Sequence, residues 1–598
     1  MIKKETAHRA THSGQKRRPS SRPNFRRDSK SKIADQSPKI HHARSAEALR
    51  FIPLGGLEEI GRNMMFFEYQ NEIVIIDAGL QFPEEETPGV DFIIPNITYL
   101  QEKKANIQAL IITHAHYDHI GAIPYIMEKI GNPPIYATSL TKALVNKRQD
   151  DFPNVPKLNI ITVKNGEKVK ISNHFSAEFF GIAHTIPEST AVVLKTPVGN
   201  VVNLGDFKVE YDIDGNPEGL ADLERVGKEG VLLFTVDSTN ADKQGRSVSE
   251  RVVEKNLEEL LRAAPARIIV AMFASVLTRI SEIIKIAEKL GRRVTLSGYS
   301  MKSNVEIARQ LGFIKAKEGT IIPLEEIHRI KDDKLLVLST GAQGESNASL
   351  MKIINGEHRH IEIKPGDTIL FSASVIPGNE RSVQTLKDNL ARQGAIIHNS
   401  DIVDIHASGH APKEDIKLVM ELLKPKFLAP VHGYYYKRSV NAQTGIEAGI
   451  PKENIFLLDN GQVAELTANT FKIMQETVPA SYVMVDGLGV GDVEEVVLRD
   501  RRALSQEGMV VIIITIDRKK TRLVKSPDII SRGFIYLKEN QEILEDTRKK
   551  IRSIVSRIPN FQSFETDYLK TLIRDQVGQL IYTKTKRRPM ILPVIIEI

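Results

Sequence analysis

The segment that begins at residue 109 limits what this chain can fold into more than any other feature of the sequence. Its first five residues, Ala109 to Thr113, form a short apolar run, which predicts a buried strand. The side chains that follow within six residues include His114, His116, Asp118 and His119. Imidazole nitrogens and carboxylate oxygens bind cations such as Zn²⁺ at about 2.0 to 2.2 Å. The pattern therefore predicts a metal-binding loop at a strand end and disfavours a solvated turn.

Other candidate ligands stand near the ends of later predicted strands. His184 lies just before the predicted strand Ala191 to Thr196, and Asp206 lies just after Val201 to Leu204. Since one loop cannot complete the coordination of two metal ions, ligands from other strand ends are expected. Taken alone, each residue is explained as well by a structural role, as a capped histidine or a turn aspartate, as by metal binding. The order of these residues along the chain favours metal binding.

The composition restricts the chemistry. The chain of 598 residues contains no cysteine, which excludes disulfides, thiolate zinc sites and cysteine nucleophiles. Any metal ion must therefore be held by histidine and carboxylate. The longest aliphatic run, Met509 to Ile516, has the length of a strand and not of a membrane span. A cytoplasmic enzyme without membrane association is expected.

The charge is concentrated at the N-terminus. Residues 1–45 contain thirteen lysines and arginines and three acidic residues, a net charge of +10, while the whole chain carries +7. The remainder of the chain is therefore mildly acidic. A tail rich in Ser, Arg, Lys and Pro without apolar periodicity is expected to be disordered. Attraction to nucleic acid phosphates and a purely solubilising role explain this tail equally well.

The rest of the chain reads as an α/β protein of several domains. Short predicted strands dominate up to about residue 244, helix Ser249 to Ala263 opens a series of βα units, and a histidine-rich loop follows near residue 402. The predicted organisation is a disordered basic tail at 1–47, a metal-binding domain at 48–244 and 396–468, an inserted α/β domain at 245–395, a linker at 469–484, and a small α+β domain at 485–598.

The ligand motifs resemble those of the metallo-β-lactamase superfamily. His-x-His-x-Asp-His is followed by a lone histidine and then by Gly205-Asp206, while Asp77 matches the first motif of the superfamily. An insertion between the Gly-Asp motif and the last ligand histidine resembles the β-CASP group, whose characterised members are nucleases. The resemblance implies a metallo-β-lactamase αββα sandwich with an inserted β-CASP domain.

Within that group the chain resembles the ribonuclease J family from about Leu54 to the C-terminus. The segments that carry the resemblance are Leu54 to Asn63, Thr340 to Glu345, Ile376 to Glu380, Val485 to Gly487, Gly489 to Asp492, Ile529 to Phe534 and Arg587 to Pro593. The sequence departs from the family pattern in two places. Val276-Leu277-Thr278 replaces Asn-Ile-His, and Tyr434 replaces a glutamate.

The resemblance implies two Zn²⁺ ions, with Mn²⁺ or Mg²⁺ as alternatives. One is expected to be held by His114, His116 and His184, and the other by Asp118, His119 and His432, with Asp206 bridging them. Asp77 is expected to steady the ligand loop from outside the coordination sphere. His410 is the candidate for stabilising the reacting phosphoryl oxygens or protonating the leaving group. Asp237 either orients His410 or caps the next helix.

The resemblance also implies the substrate. The residues expected to hold nucleotide phosphate are Phe273, Ala274, Ser275, His406, Ala407, Ser408, Gly409 and His410. The expected activity is 5′-to-3′ exonuclease action on single-stranded, 5′-monophosphorylated RNA, with endonuclease activity, in rRNA maturation and mRNA decay. A homodimer or tetramer and association with an RNA degradosome or the ribosome are further expectations. The alternatives are a hydrolase of small esters, thioesters or lactams, a DNA-processing β-CASP nuclease, and a catalytically degraded RNA-binding scaffold.

Overall fold

The computed structural model describes residues 47–83, 87–345, 347–376, 378–400, 403–487, 489–491, 495–520, 522–535, 540–558 and 565–598. Except for Glu47, the predicted disordered tail lies outside the described residues. So do Pro377 and Asp492 of the family motifs.

Two sheets form the first part of the chain. Its strands are β1 Leu49–Gly55, β2 Met64–Tyr69, β3 Glu72–Ile76, β4 Phe92–Ile94, β5 Ile107–Ile111, β6 Ile135–Ala137, β7 Ile160–Thr162, β8 Lys168–Lys170, β9 Ser176–Gly181, β10 Thr190–Thr196, β11 Gly199–Asn203, β12 Glu210–Tyr211, β13 Pro217–Glu218 and β14 Leu233–Asp237. Its helices are α1 Thr98–Glu102, α2 Tyr117–Ile120, α3 Ile123–Ile126, α4 Ser139–Gln149 and α5 Ala221–Glu229.

A parallel sheet with helices between its strands follows. Its strands are β15 Ile268–Ala271, β16 Arg293–Ser297, β17 Leu335–Ser339, β18 Thr368–Phe371 and β19 Ile396–Asn399, in the order β16-β17-β15-β18-β19. The helices here are α6 Glu250–Ala263, α7 Leu277–Lys289, α8 Tyr299–Gln310, α9 Ser349–Ile354 and α10 Glu380–Arg392. In α6 the buried positions Val253, Leu257 and Leu261 recur every four residues, as expected for a helix with one apolar face.

The chain then returns to the first two sheets. The elements of this part are α11 Lys413–Leu423, β20 Phe427–Val431, α12 Tyr435–Glu447, β21 Gln462–Leu466 and β22 Phe471–Thr477. Strand β20 pairs in parallel with β14, so strands that flank the parallel-sheet domain in sequence are neighbours in space. The two sheets have the orders β22-β21-β1-β2-β3-β5-β6-β7 and β20-β14-β11-β10-β9-β8.

The two sheets pack face to face with helices outside them. One buried cluster joins Phe51 and Phe67 of the first sheet to Phe179 and Val192 of the second. Helices α5 and α11 cover the outer face of the second sheet, and α3 and α4 pack on the first. This is the αββα sandwich predicted from the sequence, with the parallel-sheet domain inserted between β14 and β20.

The last part of the chain begins with a short hairpin, β23 Val483–Asp486 and β24 Gly489–Val490, of which β23 pairs with β4, and continues into a small α+β domain. The elements of this domain are α13 Glu495–Glu507, β25 Met509–Asp517, β26 Arg522–Leu523, β27 Asp528–Arg532, α14 Gln541–Ser556, α15 Thr566–Thr585 and β28 Met590–Glu597. Among the described helices of the whole chain, none is both long and apolar enough to cross a bilayer.

Three features differ from the sequence predictions. Strand β22 occupies residues 471–477, which were assigned to a linker, because this segment pairs with β21 and completes the first sheet. Strand β19 extends the inserted sheet to Asn399, past the expected boundary at 395. Strand β5 ends at Ile111 and not at Thr113, because the backbone N–H of Thr113 donates to the Asp77 carboxylate at 2.9 Å.

Candidate metal centre

The topology of the second sheet brings three of the candidate residues to one edge. Strands β11, β14 and β20 are parallel neighbours. The carboxyl ends of parallel strands lie at the same edge of a sheet, and Asp206, Asp237 and His432 stand at or just after these three ends. The loop that carries His114 to His119 leaves β5 of the facing sheet and approaches this edge, as the distances below show.

Four side chains form a first group of potential ligands: His114, His116, His184 and Asp206. The Nδ1 atom of His116 lies 3.1 Å from Nε2 of His114 and 3.1 Å from Nε2 of His184. Asp206 contributes Oδ2, which lies 3.7 Å from Nε2 of His114 and 4.0 Å from Nε2 of His184. These separations suit donors arranged around one ion.

A second group shares Asp206 with the first and consists of Asp118, His119, Asp206 and His432. It uses the other carboxylate oxygen of Asp206, Oδ1, which lies 3.3 Å from Nε2 of His119 and 2.8 Å from Nδ1 of His432. The Oδ2 atom of Asp118 lies 3.5 Å from Nε2 of His119 and 3.5 Å from Nε2 of His432. The two oxygens of Asp206 therefore face two different groups.

The donor atoms fit a pair of metal ions. The buried Nε2 atom of His432, which lies 3.5 Å from Oδ2 of Asp118, has no hydrogen-bond partner, and buried polar groups without partners are rare unless another ligand satisfies them. Tetrahedral zinc with nitrogen ligands at about 2.0 Å places those nitrogens about 3.3 Å apart, close to the separations within the first group. A set of three imidazoles and a carboxylate is also a chemically suitable zinc environment.

Buried partners outside the two groups fix the ligand loop. Asp77 holds Nδ1 of His119 through Oδ2 at 2.8 Å and accepts from Oγ1 of Thr113 at 3.1 and 3.0 Å. The backbone of Asp77 has a φ of 60°, an uncommon left-handed conformation for a residue other than glycine. Asn63, which was not among the candidate residues predicted from sequence, places Nδ2 3.1 Å from Nε2 of His119. Asp77 orients a potential ligand through its other ring nitrogen, as outer partners of metal-bound histidine do, whereas Asn63 contacts the nitrogen that faces the second group.

His410 and Asp237 form a pair beside the two ligand groups. Nδ1 of His410 lies 2.7 Å from Oδ2 of Asp237 and 3.8 Å from Oδ2 of Asp206. The other oxygen of Asp237 accepts from the backbone N–H of Thr239 at 2.8 Å and from its hydroxyl at 2.7 Å. Asp237 thus both caps the turn after β14 and contacts His410. His410 remains partly exposed, with 22% of its side-chain surface accessible.

The loop from His406 to His410 connects this centre to the inserted domain. The carbonyl of Gly409 lies 2.7 Å from Nδ1 of His184. A Cβ at position 409 would lie 2.5 Å from the His184 ring, so only glycine allows this approach. At the other end of the loop, Arg279 of α7 donates from Nη1 to Nδ1 of His406 at 2.6 Å and from Nη2 to the carbonyl of Ala407 at 3.2 Å.

Phe273, Ala274 and Ser275 lie between β15 and α7, close in sequence to Arg279. Asn304 of α8 donates to the carbonyl of Ala274 at 3.0 Å. Ser408 accepts from Nδ2 of Asn240 at 2.8 Å and from the backbone N–H of His410 at 3.3 Å. Through Arg279 the structure brings together the two segments that were expected to hold phosphate.

The histidines of the centre are of two kinds, those whose pKa is lowered and those whose pKa is raised. Burial, with neighbouring imidazoles, lowers the pKa of His114 and of His184, and burial lowers that of His116 to about 4. Burial also acts to lower the pKa of His432, but the carboxylates of Asp206, Asp118 and Asp237 together outweigh it and raise that pKa to about 10. His410 behaves likewise, because Asp237 and Asp206 outweigh burial and raise its pKa.

Four family models match consecutive parts of the chain. They are the metallo-beta-lactamase superfamily at residues 58–254, the ribonuclease J beta-CASP domain at 265–390, the Zn-dependent metallo-hydrolase RNA specificity domain at 397–455, and the ribonuclease J C-terminal domain at 496–598.

Relatives match over almost the whole chain. Ribonuclease J 1 of Streptococcus pyogenes serotype M3 is 36% identical over 91% of this chain and 96% of its own. Ribonuclease J2 of Bacillus subtilis is 36% identical over 93% of this chain and 100% of its own. The chain belongs to the ribonuclease J family. It is therefore a ribonuclease of the β-CASP type and a hydrolase that uses divalent metal.

A crystal structure of a protein of unknown function from Enterococcus faecalis V583 covers 72% of this chain and 100% of its own, with a TM-score of 0.50 and 16% sequence identity. This likeness concerns the fold alone.

The two departures from the ribonuclease J pattern lie in different surroundings. Val276 and Leu277 are buried and pack into the hydrophobic core of the inserted domain. Tyr434 is exposed, two residues after His432. Neither departure removes a residue of the two ligand groups.

Proposed function

We propose that this chain is a zinc-dependent ribonuclease that degrades RNA from the 5′ end and also cleaves internally, in rRNA maturation and mRNA decay. The observation that carries the proposal is that the two oxygens of Asp206 face two separate groups of buried ligands. His114, His116 and His184 would hold one Zn²⁺, and Asp118, His119 and His432 the other. Mn²⁺ or Mg²⁺ are the alternatives that metal analysis of the purified protein would identify.

Two divalent cations held in this way would activate a water molecule for attack on phosphorus and offset charge on the phosphoryl oxygens. Neighbouring residues of the protein orient the ligand imidazoles. Asp77 fixes His119 through Nδ1, and Gly409 fixes His184 through its carbonyl. Because these partners are buried, the imidazoles keep one orientation without reorganisation when RNA binds.

His410 is the proposed proton donor. Asp237 accepts from Nδ1, which leaves Nε2 of the partly exposed ring to face substrate. The carboxylates of Asp237 and Asp206 raise the pKa of the ring, which favours its protonated form, so it can donate either to a phosphoryl oxygen or to the leaving oxygen. Asp237 acts through His410 as a positioning residue.

The loops at Phe273, Ala274 and Ser275 and at His406, Ala407, Ser408 and Gly409 are proposed to bind the 5′-monophosphate. Imidazole, hydroxyl and backbone N–H donors suit a phosphate without a strongly basic surface. Because Gly409 contacts the ligand His184, a phosphate in this loop lies close to the metal centre. This arrangement favours removal of nucleotides from the 5′ end.

RNA with a 5′-monophosphate should therefore be degraded at least about 10-fold faster than the same RNA with a 5′-triphosphate, which is a difference of about 1.4 kcal/mol in transition-state binding. End-labelled RNAs of one sequence should be digested side by side and their products mapped. A circular RNA, which has no 5′ end, serves as the control that reports endonuclease activity alone. Equal rates on the two linear RNAs would contradict the phosphate pocket.

Two other functions make different predictions. A DNA-processing nuclease would cleave a DNA oligonucleotide as fast as the RNA of the same sequence. A degraded RNA-binding scaffold would bind RNA and turn over none of it, although all seven proposed ligand side chains are present.

The C-terminal domain is proposed to form a homodimer, from which a tetramer can assemble. Alternate residues of β25 are buried, and the opposite face of this sheet carries an exposed apolar stripe. Val511 pairs with Leu592 and with Ile530, and Leu592 and Ile530 are 47% and 41% exposed. Exposed apolar patches on one sheet face are typical of subunit interfaces. Association with a degradosome or the ribosome is a further proposal, testable by co-purification.

The change Leu592→Arg should shift the protein from dimer to monomer, because it places a charge in the apolar stripe. Light scattering after size-exclusion chromatography measures the mass directly. Leu311→Arg, which alters an exposed leucine directly after α8 in the inserted domain, is the matched control. A dimer that persists in Leu592→Arg would remove this face as the interface.

A further inference from the structure

A buried chain of ionic groups lies where the inserted domain joins the metal-binding domain. Lys208 and Arg279 are each 1% exposed, and both donate to Oε1 of Glu250, at 2.9 and 2.8 Å. Lys208 follows Asp206 by two residues, Glu250 is the first residue of α6, and Arg279 lies on α7. Since burying unpaired charge is costly, this chain of groups holds the three segments in one arrangement.

The chain of groups ends on His406. Nη1 of Arg279 donates to Nδ1 of His406 at 2.6 Å. A guanidinium has N–H donors and no acceptor, so Nδ1 must present its lone pair. The remaining proton of the neutral imidazole is then on Nε2. In this state His406 can donate a hydrogen bond from Nε2. Its Nδ1 atom cannot take up a proton while it accepts the hydrogen bond from Arg279.

We propose that Arg279 is a positioning residue for recognition of the RNA 5′-phosphate, acting by fixing His406 as the neutral tautomer that carries its proton on Nε2. The inference rests on the proposed phosphate pocket. Glu250 and Lys208 serve this role indirectly, because they hold the guanidinium in place.

The surroundings of His406 favour the neutral ring. Burial and the guanidinium of Arg279 lower its pKa to about 3, against the opposing effects of the Glu250 carboxylate and the backbone of Ser372, while Lys208 acts in the same sense as Arg279. Phosphate recognition by His406 therefore does not change through titration of the ring between pH 5.5 and 8. Without the guanidinium, burial still lowers the pKa of the ring, but nothing prevents the proton from moving between Nδ1 and Nε2.

A double-mutant cycle tests whether Arg279 acts through His406. The measured quantity is the ratio of kcat/KM for 5′-monophosphorylated RNA to that for 5′-hydroxyl RNA. His406→Ala should lower this ratio about 10-fold, the effect of one hydrogen bond to a charged group. Arg279→Gln should lower it by a similar factor, and the double variant should be no worse than either single variant. If the double variant instead lowered the ratio by the product of the two factors, about 100-fold, Arg279 would act independently of His406 and the inference would be overturned.

The pH dependence gives a second readout. The KM of Arg279→Gln, divided by that of the wild-type protein on the same phosphorylated RNA, should stay above one at pH 5.5 and at pH 8, because burial keeps the ring neutral while the guanidinium that fixes its tautomer is lost. Titration of the phosphate itself cancels in this quotient. A quotient of one would contradict control of the tautomer by Arg279.

Two further variants separate this role from a loss of folding. Arg267→Gln removes another buried arginine of the inserted domain, paired with Asp367 and not with His406, and should leave the ratio unchanged. Arg279→Lys keeps the buried charge but cannot serve Glu250, His406 and Ala407 together, so the ratio should still fall severalfold. An unchanged ratio in both Arg279 variants overturns the inference. An unchanged ratio in His406→Ala instead removes the proposed phosphate pocket.

Discussion

Replacing Asp206 with asparagine should lower kcat/KM for RNA hydrolysis by about 10⁴-fold. The amide has the shape of the carboxylate but lacks its charge, and one of its two donor atoms becomes an N–H group. Since Oδ1 and Oδ2 of Asp206 face different ligand groups, this single change disturbs both proposed metal sites. Substitution of a ligand that serves one group, such as His116→Ala, should leave more of the bound metal in place.

Metal content distinguishes loss of the centre from loss of folding. Elemental analysis should find about two metal ions per wild-type chain and fewer than one in Asp206→Asn. Asp222→Asn, which changes an exposed aspartate of α5 that pairs with Arg225, is the matched control and should retain full activity and metal. An Asp206→Asn protein with normal metal content and normal RNA turnover would contradict the bimetal proposal.

Much of the centre could be predicted from sequence because its chemistry is concentrated at strand ends. The loop from His114 to His119 follows an apolar run directly, and such a density of ligand-type side chains is typical of a metal site and rare in a solvated turn. Asp206 and His432 are far apart in sequence but follow parallel strands of one sheet, which β14 joins. Once the family motifs placed these strands in one domain, their ends had to meet.

The polar residues that contact the histidines of the centre and of the neighbouring loop were harder to predict. Asn63 and Arg279 are ordinary polar residues in sequence, and their contacts with His119 and His406 join segments 56 and 127 residues apart. No local pattern encodes such a pairing. The only available signal was that Asn63 ends the family segment Leu54 to Asn63 and that Arg279 directly follows the departure at Val276-Leu277-Thr278.

The C-terminal domain shows a different limit of sequence reasoning. Helix α15 was not predicted, although its buried residues Leu569, Ile573, Val577 and Ile581 recur every four positions. Strand β22 was assigned to a linker because the stretch of sequence after Leu466 is mostly polar. As an edge strand it buries only Phe471, so its alternation is weak, and only its pairing with β21 identifies it.

His410→Ala should lower kcat by about 10³-fold while the metal content stays at the wild-type value, because His410 belongs to the proposed proton-transfer machinery and not to the ligands. Asp237→Asn should have a smaller effect, about 10- to 100-fold, as expected for a residue that acts through another. Single-turnover cleavage of end-labelled RNA measures the chemical step in both variants. The matched control is Asp242→Asn, which alters a partly exposed aspartate paired with Lys437.

The pH profile separates orientation of His410 from a merely structural role of Asp237. The carboxylates of Asp237 and Asp206 raise the pKa of His410 against the effect of burial, so the protonated donor persists to higher pH than an ordinary histidine would allow. The amide introduced by Asp237→Asn carries no charge, so the pKa of His410 would fall and the protonated form would be lost at lower pH. The alkaline limb of the kcat profile should therefore move to lower pH in this variant. A reduced rate with an unmoved limb would mean that Asp237 serves only to cap the turn at Thr239, and His410 would then need another source of its proton affinity.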